Sequence, residues 1–491
     1  MPVSSFFLGR TKRRASLLNG LAPRALAAAA ALTLAGCAQF SDLGERAQPK
    51  PIDVYQTTQS LSGNSSAAWP VDTWWTVYGD AQLNALIEQA LQGTPSLAVA
   101  QARLLKAEGS AQQQGASLAP QVSANASVAR MKQSYNDGFP PSQVPQNYNN
   151  ETRTTLDLSY EIDFWGKNHA ALAAATSELE AARADAAQAR MTLATSIAAA
   201  YAELDNLYRQ RDTDQAALQV RLETVALFRD RQINGLETEG SVKQVEARRA
   251  MAEADLLSVE ESLGLQRNKL AALVGAGPDR GLQLARPTID LSKPFGLPQA
   301  LPANLLGRRP DIIAARLRAE AAAKQIKVAR AQFYPNINLK AYIGFDALGT
   351  GMLLAPGSVI GSVGPALSLP IFEGGRLRGQ FRSASAGYDE AVANYDSAVT
   401  QALQDVADVV VSEKALGGRL SRVEEAARAA EEAYRIVQNR YQGGLTNYLD
   451  VLNAQDALLN NLSQLSSLRS RMFTLDVAMV RALGGGYQSA V

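Results

Sequence analysis

The 491-residue chain carries a single histidine, His169, and a single cysteine, Cys37. One imidazole and one thiol supply no metal-ligating cluster and no nucleophile–base pair. The glycine run Gly484–Gly486 has no strand before it and no helix after it, so it reads as a helix terminator and not as a phosphate loop. With one cysteine no intrachain disulfide can form, and the position of Cys37 asks for another use of its thiol. These residues point away from an enzyme and from any cofactor beyond a covalent group at Cys37.

The residues ahead of it make a lipid the expected group. Arg10, Lys12, Arg13, Arg14 and Arg24 accompany the apolar run Ala25–Leu34. The run is about half of the ~20 residues a bilayer-spanning helix needs, but it has the length of a secretory signal core. It ends in Leu34-Ala35-Gly36-Cys37, which resembles the lipobox of bacterial lipoproteins, cut before a cysteine that is then lipid-modified. Ala38 stands where lipoproteins kept in the inner membrane often carry Asp, which favours delivery to the outer membrane. Removing residues 1–36 takes away five Lys/Arg and no Asp/Glu, so the formal net charge falls from +1 to −4. Nothing in that balance suggests a nucleic-acid partner.

The elements that follow are set by proline and by period. Residues 146–277 and 371–491 contain no proline, whereas Pro278, Pro287, Pro294, Pro298, Pro302 and Pro310 crowd the segment between. Because proline breaks helices, the two proline-free arms are free to form long ones. Residues 37–80 read as a lipidated polar tether closed by Trp69, Trp74, Trp75 and Tyr78, a packing cap before the apolar face Leu83, Leu86, Ile87 and Leu91. A first repeat, 81–278, opens with a helix at Thr94-Pro95 that ends before Pro120. Two strands follow, 121–130 and 153–164. In the second, Leu156, Leu158, Tyr160, Ile162 and Phe164 alternate with Thr155, Asp157, Ser159, Glu161 and Asp163. Then 68 residues from Lys167 to Asn234 carry neither Gly nor Pro, roughly 100 Å of helix at 1.5 Å per residue. Gly235 turns it, and a return helix runs to Leu273.

After a Pro-rich crossover at 279–305 the pattern recurs in 306–484. Its strands are 336–345 and 359–371, its turn lies near Gly444, and a tail at 485–491 closes the chain. Arg231–Leu236 and Arg440–Leu445 are two copies of one turn, 209 residues apart. The expected fold is therefore a mixed α/β membrane protein, an internal duplication of long α-hairpins with two β-strands each. Four strands cannot close a barrel, and open edges against lipid leave backbone groups unpaired at several kcal/mol each. Alternation of charge and large apolar residues suits a water-filled barrel, so oligomerisation is expected, with a tube of helices continuing the barrel.

The matching residues are the lipobox at Cys37, Trp74-Trp75, Leu306–Ile312, Phe333–Ile337, Leu369–Gly375, Arg440–Gln455 and Ala482–Gly486. Together they span nearly the whole mature chain, and on them it resembles an outer-membrane factor of the TolC/OprM type, in its lipoprotein branch. The resemblance implies a homotrimer with a 12-stranded β-barrel continued by an α-helical barrel, resident in the outer membrane with a long periplasmic part. It implies an exit duct for small molecules such as drugs, working with a periplasmic adaptor (a membrane fusion protein) and an inner-membrane pump of the resistance-nodulation-division type. Protein secretion and metal export share that architecture; a structural periplasmic coiled-coil lipoprotein would leave the four strands unexplained. The resemblance also places the channel gate after the second turn. Leu449 and Asp450 match gate residues, Asn453 stands where an aspartate is usual, Asp456 where one branch has arginine, and Tyr441 matches a tyrosine of the closed-state lock. Three copies of Asp450, reinforced by Asp456, would form an anionic ring that binds cations and disfavours anions. An ordinary reading stands beside it, Asp450 as a helix N-terminal residue favoured by the dipole. Gly235-Leu236 and Gly444-Leu445 match the tips that meet the adaptor.

Overall fold

The computed structural model describes residues 45–57, 59–61, 67–136, 138, 140–292, 294–298 and 301–488, side chains at 301–303 excepted. The signal segment and the expected lipid site at Cys37 lie outside these residues. Helices α1 (Ala81–Gly93) and α2 (Pro95–Ala116) precede strands β1 (Gln121–Met131) and β2 (Asn149–Ile162), then helices α3 (Lys167–Ile233) and α4 (Glu239–Leu273). A single turn, α5 (Asp279–Leu282), and α6 (Leu301–Arg308) occupy the crossover. The succession then returns as α7 (Pro310–Ala331), β3 (Asn336–Leu348), β4 (Val359–Ser368), α8 (Arg376–Gln442) and α9 (Tyr448–Ala482). Corresponding helices are equally long: 22 residues in α2 and α7, 67 in α3 and α8, 35 in α4 and α9. Among the described residues no helix is long and apolar enough to cross a membrane.

The chain divides into two compact units. One contains Gly109–Ser177 and Ala319–Glu390 and holds all four strands. They form one antiparallel sheet in the order β1-β2-β3-β4. The register aligns Val122, Leu158, Ala341 and Val363 in one row and Ala124, Leu156, Ile343 and Gly361 in another on the same face. Val122, Leu156, Ile343 and Val363 are all at least half exposed. The intervening row is Ser123, Asp157, Tyr342 and Ser362. There the Asp157 carboxylate accepts from Asn125 at 2.9 Å and from Thr155 at 2.7 Å, and Arg153 pairs with Asp346 at 3.8 Å. Period-2 alternation thus produces an apolar face left in the open and an opposite face of polar residues, several of them paired with one another. Among the described residues neither β1 nor β4 has a partner on its outer edge.

The strand ends differ from the expected ones. Strand β2 stops at Ile162, not 164, because the Phe164 amide turns back to donate to the Ile162 carbonyl at 2.9 Å. Strand β4 stops at Ser368, short of 371, just before Leu369-Pro370, where proline removes a donor. Strand β3 runs past 345 to Leu348, held in register with Glu151. In the crossover α6 already begins at Leu301, with Pro302 in its first turn, where a missing N–H costs nothing.

The other unit contains Gln48–Glu108, Glu178–Arg318 and Ala391–Val491. Its main core packs Trp74, Trp75 and Tyr78 with Leu83, Leu86 and Ile87 of α1, Ile197, Tyr201 and Leu204 of α3, Leu270 of α4 and Phe473 and Val477 of α9. The aromatics pack edge to face, with Trp74 and Trp75 ring centres 5.6 Å apart and Tyr78 and Phe473 4.6 Å apart. Trp74, Trp75 and Tyr78 belong to the core itself, whereas Trp69, expected in the same cap, packs on a separate cluster with Leu305 and Met479 under the Arg308 guanidinium. Two buried carboxylates tie the crossover to this core. Asp80 caps α1 at the Leu83 amide (2.9 Å) while accepting from the Tyr201 hydroxyl (2.9 Å) and the Thr288 amide (2.7 Å). Asp476 of α9 accepts from the Tyr78 hydroxyl (2.7 Å) and the Phe295 amide (2.6 Å).

Along α8, residues Tyr395, Val399, Ala402, Val406, Val409, Glu413, Leu416, Leu420, Val423 and Ala427 follow one another at alternating steps of four and three. That is a heptad seam, which packs against a partner helix. Val406 and Val409 meet Met479 and Leu483, and Leu416 meets Leu468 and Leu475. Glu413 is the one charged member of this run, and Asp476 is the acid facing it. Burial, with Asp476 beside it, pushes the Glu413 carboxyl up to about 7, and burial pushes Asp476 up to about 6 against its two donors. Both values lie above those of the unfolded chain, so the fold holds extra protons, and stability falls as pH rises from about 4 to about 7. Replacing Glu413 with leucine is expected to raise the melting temperature at pH 8 by on the order of a few degrees and to do less at pH 5. Thermal unfolding at both pH values checks this; an equal shift at the two would rule out the charge as the cause.

Candidate functional site

Both turns between long helices are built the same way. At the first, Gly235 sits at φ 74°, the Leu236 amide donates to the Arg231 carbonyl at 2.8 Å, and the Gly235 amide to Gln232 at 2.9 Å. At the second, Gly444 sits at φ 73°, the Leu445 amide donates to Arg440 at 2.8 Å, and the Gly444 amide to Tyr441 at 3.0 Å. This double closure needs a left-handed residue after the helix, which glycine adopts without strain. The next helices start on side-chain caps, Thr238 for the Ser241 amide and Asn447 for the Asp450 amide. Leu236 and Leu445 are left 64 % and 72 % exposed at the tips.

Behind the tips the two hairpins pack together. Val225 and Phe228 of α3 and Val242 and Val245 of α4 form a small core, and Tyr448 of α9 packs on it, its ring centre 4.2 Å from that of Phe228. Tyr441 is buried, packs against Tyr448 with ring centres 5.2 Å apart and planes tilted by 60°, and lies under the Arg231 guanidinium, 5.2 Å from the ring centre. Burial raises the Tyr441 hydroxyl above its ordinary value, partly offset by Arg231.

The residues marked as gate separate into two groups. Leu449, Asp450 and Asn453 are exposed on the first turns of α9. The Asp450 carboxylate accepts from the Thr446 hydroxyl, and among the described residues no cation pairs with it. It is thus both a first-turn residue of a capped helix, which the dipole favours, and a free negative charge. Asp456 is different. One carboxylate oxygen accepts from Arg221 and the other from Arg248 at 2.6 Å. Arg221, only 6 % exposed, also donates to Gln455. The Asp456 charge is therefore neutralised within the chain, where reinforcement of Asp450 was expected.

Arg221 and Arg248 belong to the first hairpin, 235 and 208 residues from Asp456, and no local pattern marks them. A cavity of ≈ 740 Å³ adjoins this clamp, where Ala217, Ala247, Ala252, Ser258 and Ser463 leave room between α3, α4 and α9. Asp214 lines it, its carboxyl raised by burial and by neighbouring Asp255 against the Gln210 amide. His169 lies elsewhere, its imidazole 2.7 Å from Asp163, and no group of three potential metal ligands occurs among the described residues.

Residues 86–276 and 301–485 match the family model described as outer membrane efflux protein. The fusaric acid resistance protein FusA of Burkholderia cepacia is 36 % identical over 365 residues, 73 % of this chain and 68 % of that protein. The multidrug resistance outer membrane protein MdtP of Escherichia coli K12 is 30 % identical over 432 residues, 87 % of this chain and 88 % of its own. The crystal structure of the outer membrane protein VceC from Vibrio cholerae superimposes with a TM-score of 0.81 at 50 % identity, covering 86 % of this chain and all of that one.

Proposed function

Since the chain belongs to the outer membrane efflux protein family, a family of outer-membrane channels and not of enzymes, we propose that it is the exit duct of a tripartite efflux system. In this reading three copies each contribute four strands to a 12-stranded barrel, and the duplicated hairpins form a periplasmic tunnel. The observation that carries it is the four-stranded sheet with an exposed apolar face, a polar face opposite and, among the described residues, two open edges. Such a sheet suits lipid on one side and water on the other only once its edges are paired. The resistance and multidrug names of the relatives support small-molecule cargo. Cys37 carries the lipid, the Gly235-Leu236 and Gly444-Leu445 tips receive the periplasmic adaptor, and a resistance-nodulation-division pump feeds the duct. Exposed leucines at both tips support that contact, since a plain hairpin turn requires only the glycine.

The gate in this reading divides its labour. Asp450 and Leu449 line the constriction, and the Arg221–Asp456–Arg248 clamp holds the second return helix against the first hairpin. Heat-resistant trimers in detergent and a defined conductance in planar bilayers test the duct itself; a monomer without conductance would exclude it. For the ring, Asp450→Ala is expected to lower cation-over-anion selectivity and weaken block by multivalent cations by about tenfold or more, since three carboxylates act together at close range. Unchanged block in bilayer recordings would remove Asp450 from the pore.

A further inference from the structure

We propose that an oxyanion-binding site lies where the crossover meets the first hairpin, built by Arg211, Arg267 and Arg286 around Tyr208. The Tyr208 ring is 5 % exposed, and the three guanidinium carbons stand 5.1, 5.6 and 5.9 Å from its centre. Arg211 and Tyr208 come from α3, Arg267 from α4 and Arg286 from the extended crossover, so three segments converge on one ring. Like charges gathered this closely repel one another unless anions lie between them. One carboxylate does so: Asp212 pairs with Arg286 at 2.5 Å and with Arg211 at 3.3 Å. The nearby Arg209 is already matched by Asp205 at 2.8 Å. Among the described residues these three guanidiniums therefore pair with a single acid, an excess of two positive charges.

The donors point the same way. Arg267 gives one N–H to the Tyr208 hydroxyl at 2.5 Å, but its Nε, like that of Arg211, is buried without an acceptor. Buried donors are nearly always satisfied, and two orphaned ones in one cluster call for an acceptor supplied from outside the chain. Planar guanidiniums around a stacking surface match the oxygens of a carboxylate or a phosphate. Solvent reaches the cluster, since the Arg211 and Arg286 side chains remain 34 % and 45 % exposed. The ligand is accordingly a carboxylate or phosphate group, free in solution or borne on an anionic polymer.

Calorimetric titration of the full-length, detergent-solubilised protein tests this, with inorganic phosphate in one arm and poly-L-glutamate in the other. Saturable binding that weakens about tenfold in Arg267→Gln and that falls with added salt supports the site. Binding by phosphate alone assigns it to a free ion, and tighter binding of the polymer to a carboxylate-bearing chain. Arg286→Gln, on the exposed crossover, supplies a second variant should Arg267→Gln fail to fold, and neither substitution touches the gate or its clamp. Heats that do not saturate in either arm, or affinities unchanged in the folded variants, overturn the proposal.

Discussion

Replacing Asp456 with alanine is expected to raise the resting conductance of the reconstituted channel by about tenfold. The carboxylate lies between Arg248, at 2.6 Å, and Arg221, whose side chain is only 7 % exposed. Removing it strands a buried guanidinium beside a second cation, so the loss of attraction is compounded by repulsion. A fully buried pair broken in this way costs ~3–5 kcal/mol. Here Asp456 itself is 42 % exposed, and solvent screening brings the effect down to roughly 1–3 kcal/mol. Because ~1.4 kcal/mol shifts an equilibrium tenfold, that range suffices to move a two-state gate. Asp456→Asn should give much of the same effect while keeping the shape, which separates charge from packing. Arg221→Ala should open the channel too, and the double variant should open it little further, because both single changes remove the same interaction. Single-channel recording at neutral pH checks this, and a closed Asp456→Ala channel would show that the clamp holds nothing shut.

The second large effect is structural. Gly486→Ala and Gly484→Ala are each expected to abolish heat-resistant assembly, whereas Gly485→Ala should weaken it less. An added Cβ at Gly486 would lie 2.2 Å from the Val71 carbonyl carbon, and one at Gly484 2.2 Å from the Arg308 carbonyl oxygen. Both obstacles are backbone and cannot step aside. Both positions also hold positive φ, 84° and 92°, which costs an L-residue roughly 1–2 kcal/mol before any clash is counted. At Gly485 the neighbour is the Met191 side chain, 2.6 Å from the new atom, and a flexible thioether can move. Electrophoresis of unheated and heated samples gives the order of the three variants, and equal behaviour would point to a role for the triplet other than close packing.

What the sequence made legible was whatever is decided locally. The turns at Gly235 and Gly444 follow from a glycine placed after a proline-free run, and the sheet from alternation that a single strand displays by itself. Strand ends were harder, because Phe164 continues the alternation one step beyond the last ladder bond and only the returning amide reveals the stop. Gly484–Gly486 announces the end of a helix, but its neighbours Val71 and Arg308 are remote in sequence, so the close approach that demands glycine is invisible there. Arg221 and Arg248 were hidden for the same reason. Asp456 gives no local hint of them, because its partner charges sit on the other hairpin, 235 and 208 residues away.

The two carboxylates that fasten the crossover have an evolutionary consequence. Asp80 and Asp476 hold the peptide N–H groups of Thr288 and Phe295, and a carboxylate that grips an amide recognises the path of the chain. Each gripped amide comes directly after a proline, Pro287 and Pro294, whose fixed φ presents the next residue in an extended course. Both positions should therefore be closed to proline, which has no hydrogen to offer, while their side chains add a second hold, the Thr288 hydroxyl on Asp80 at 3.3 Å and the Phe295 ring edge to face with Tyr78. Recombination between relatives could exchange this strap wholesale, so long as the two acids and the seven-residue interval between the gripped amides travel together.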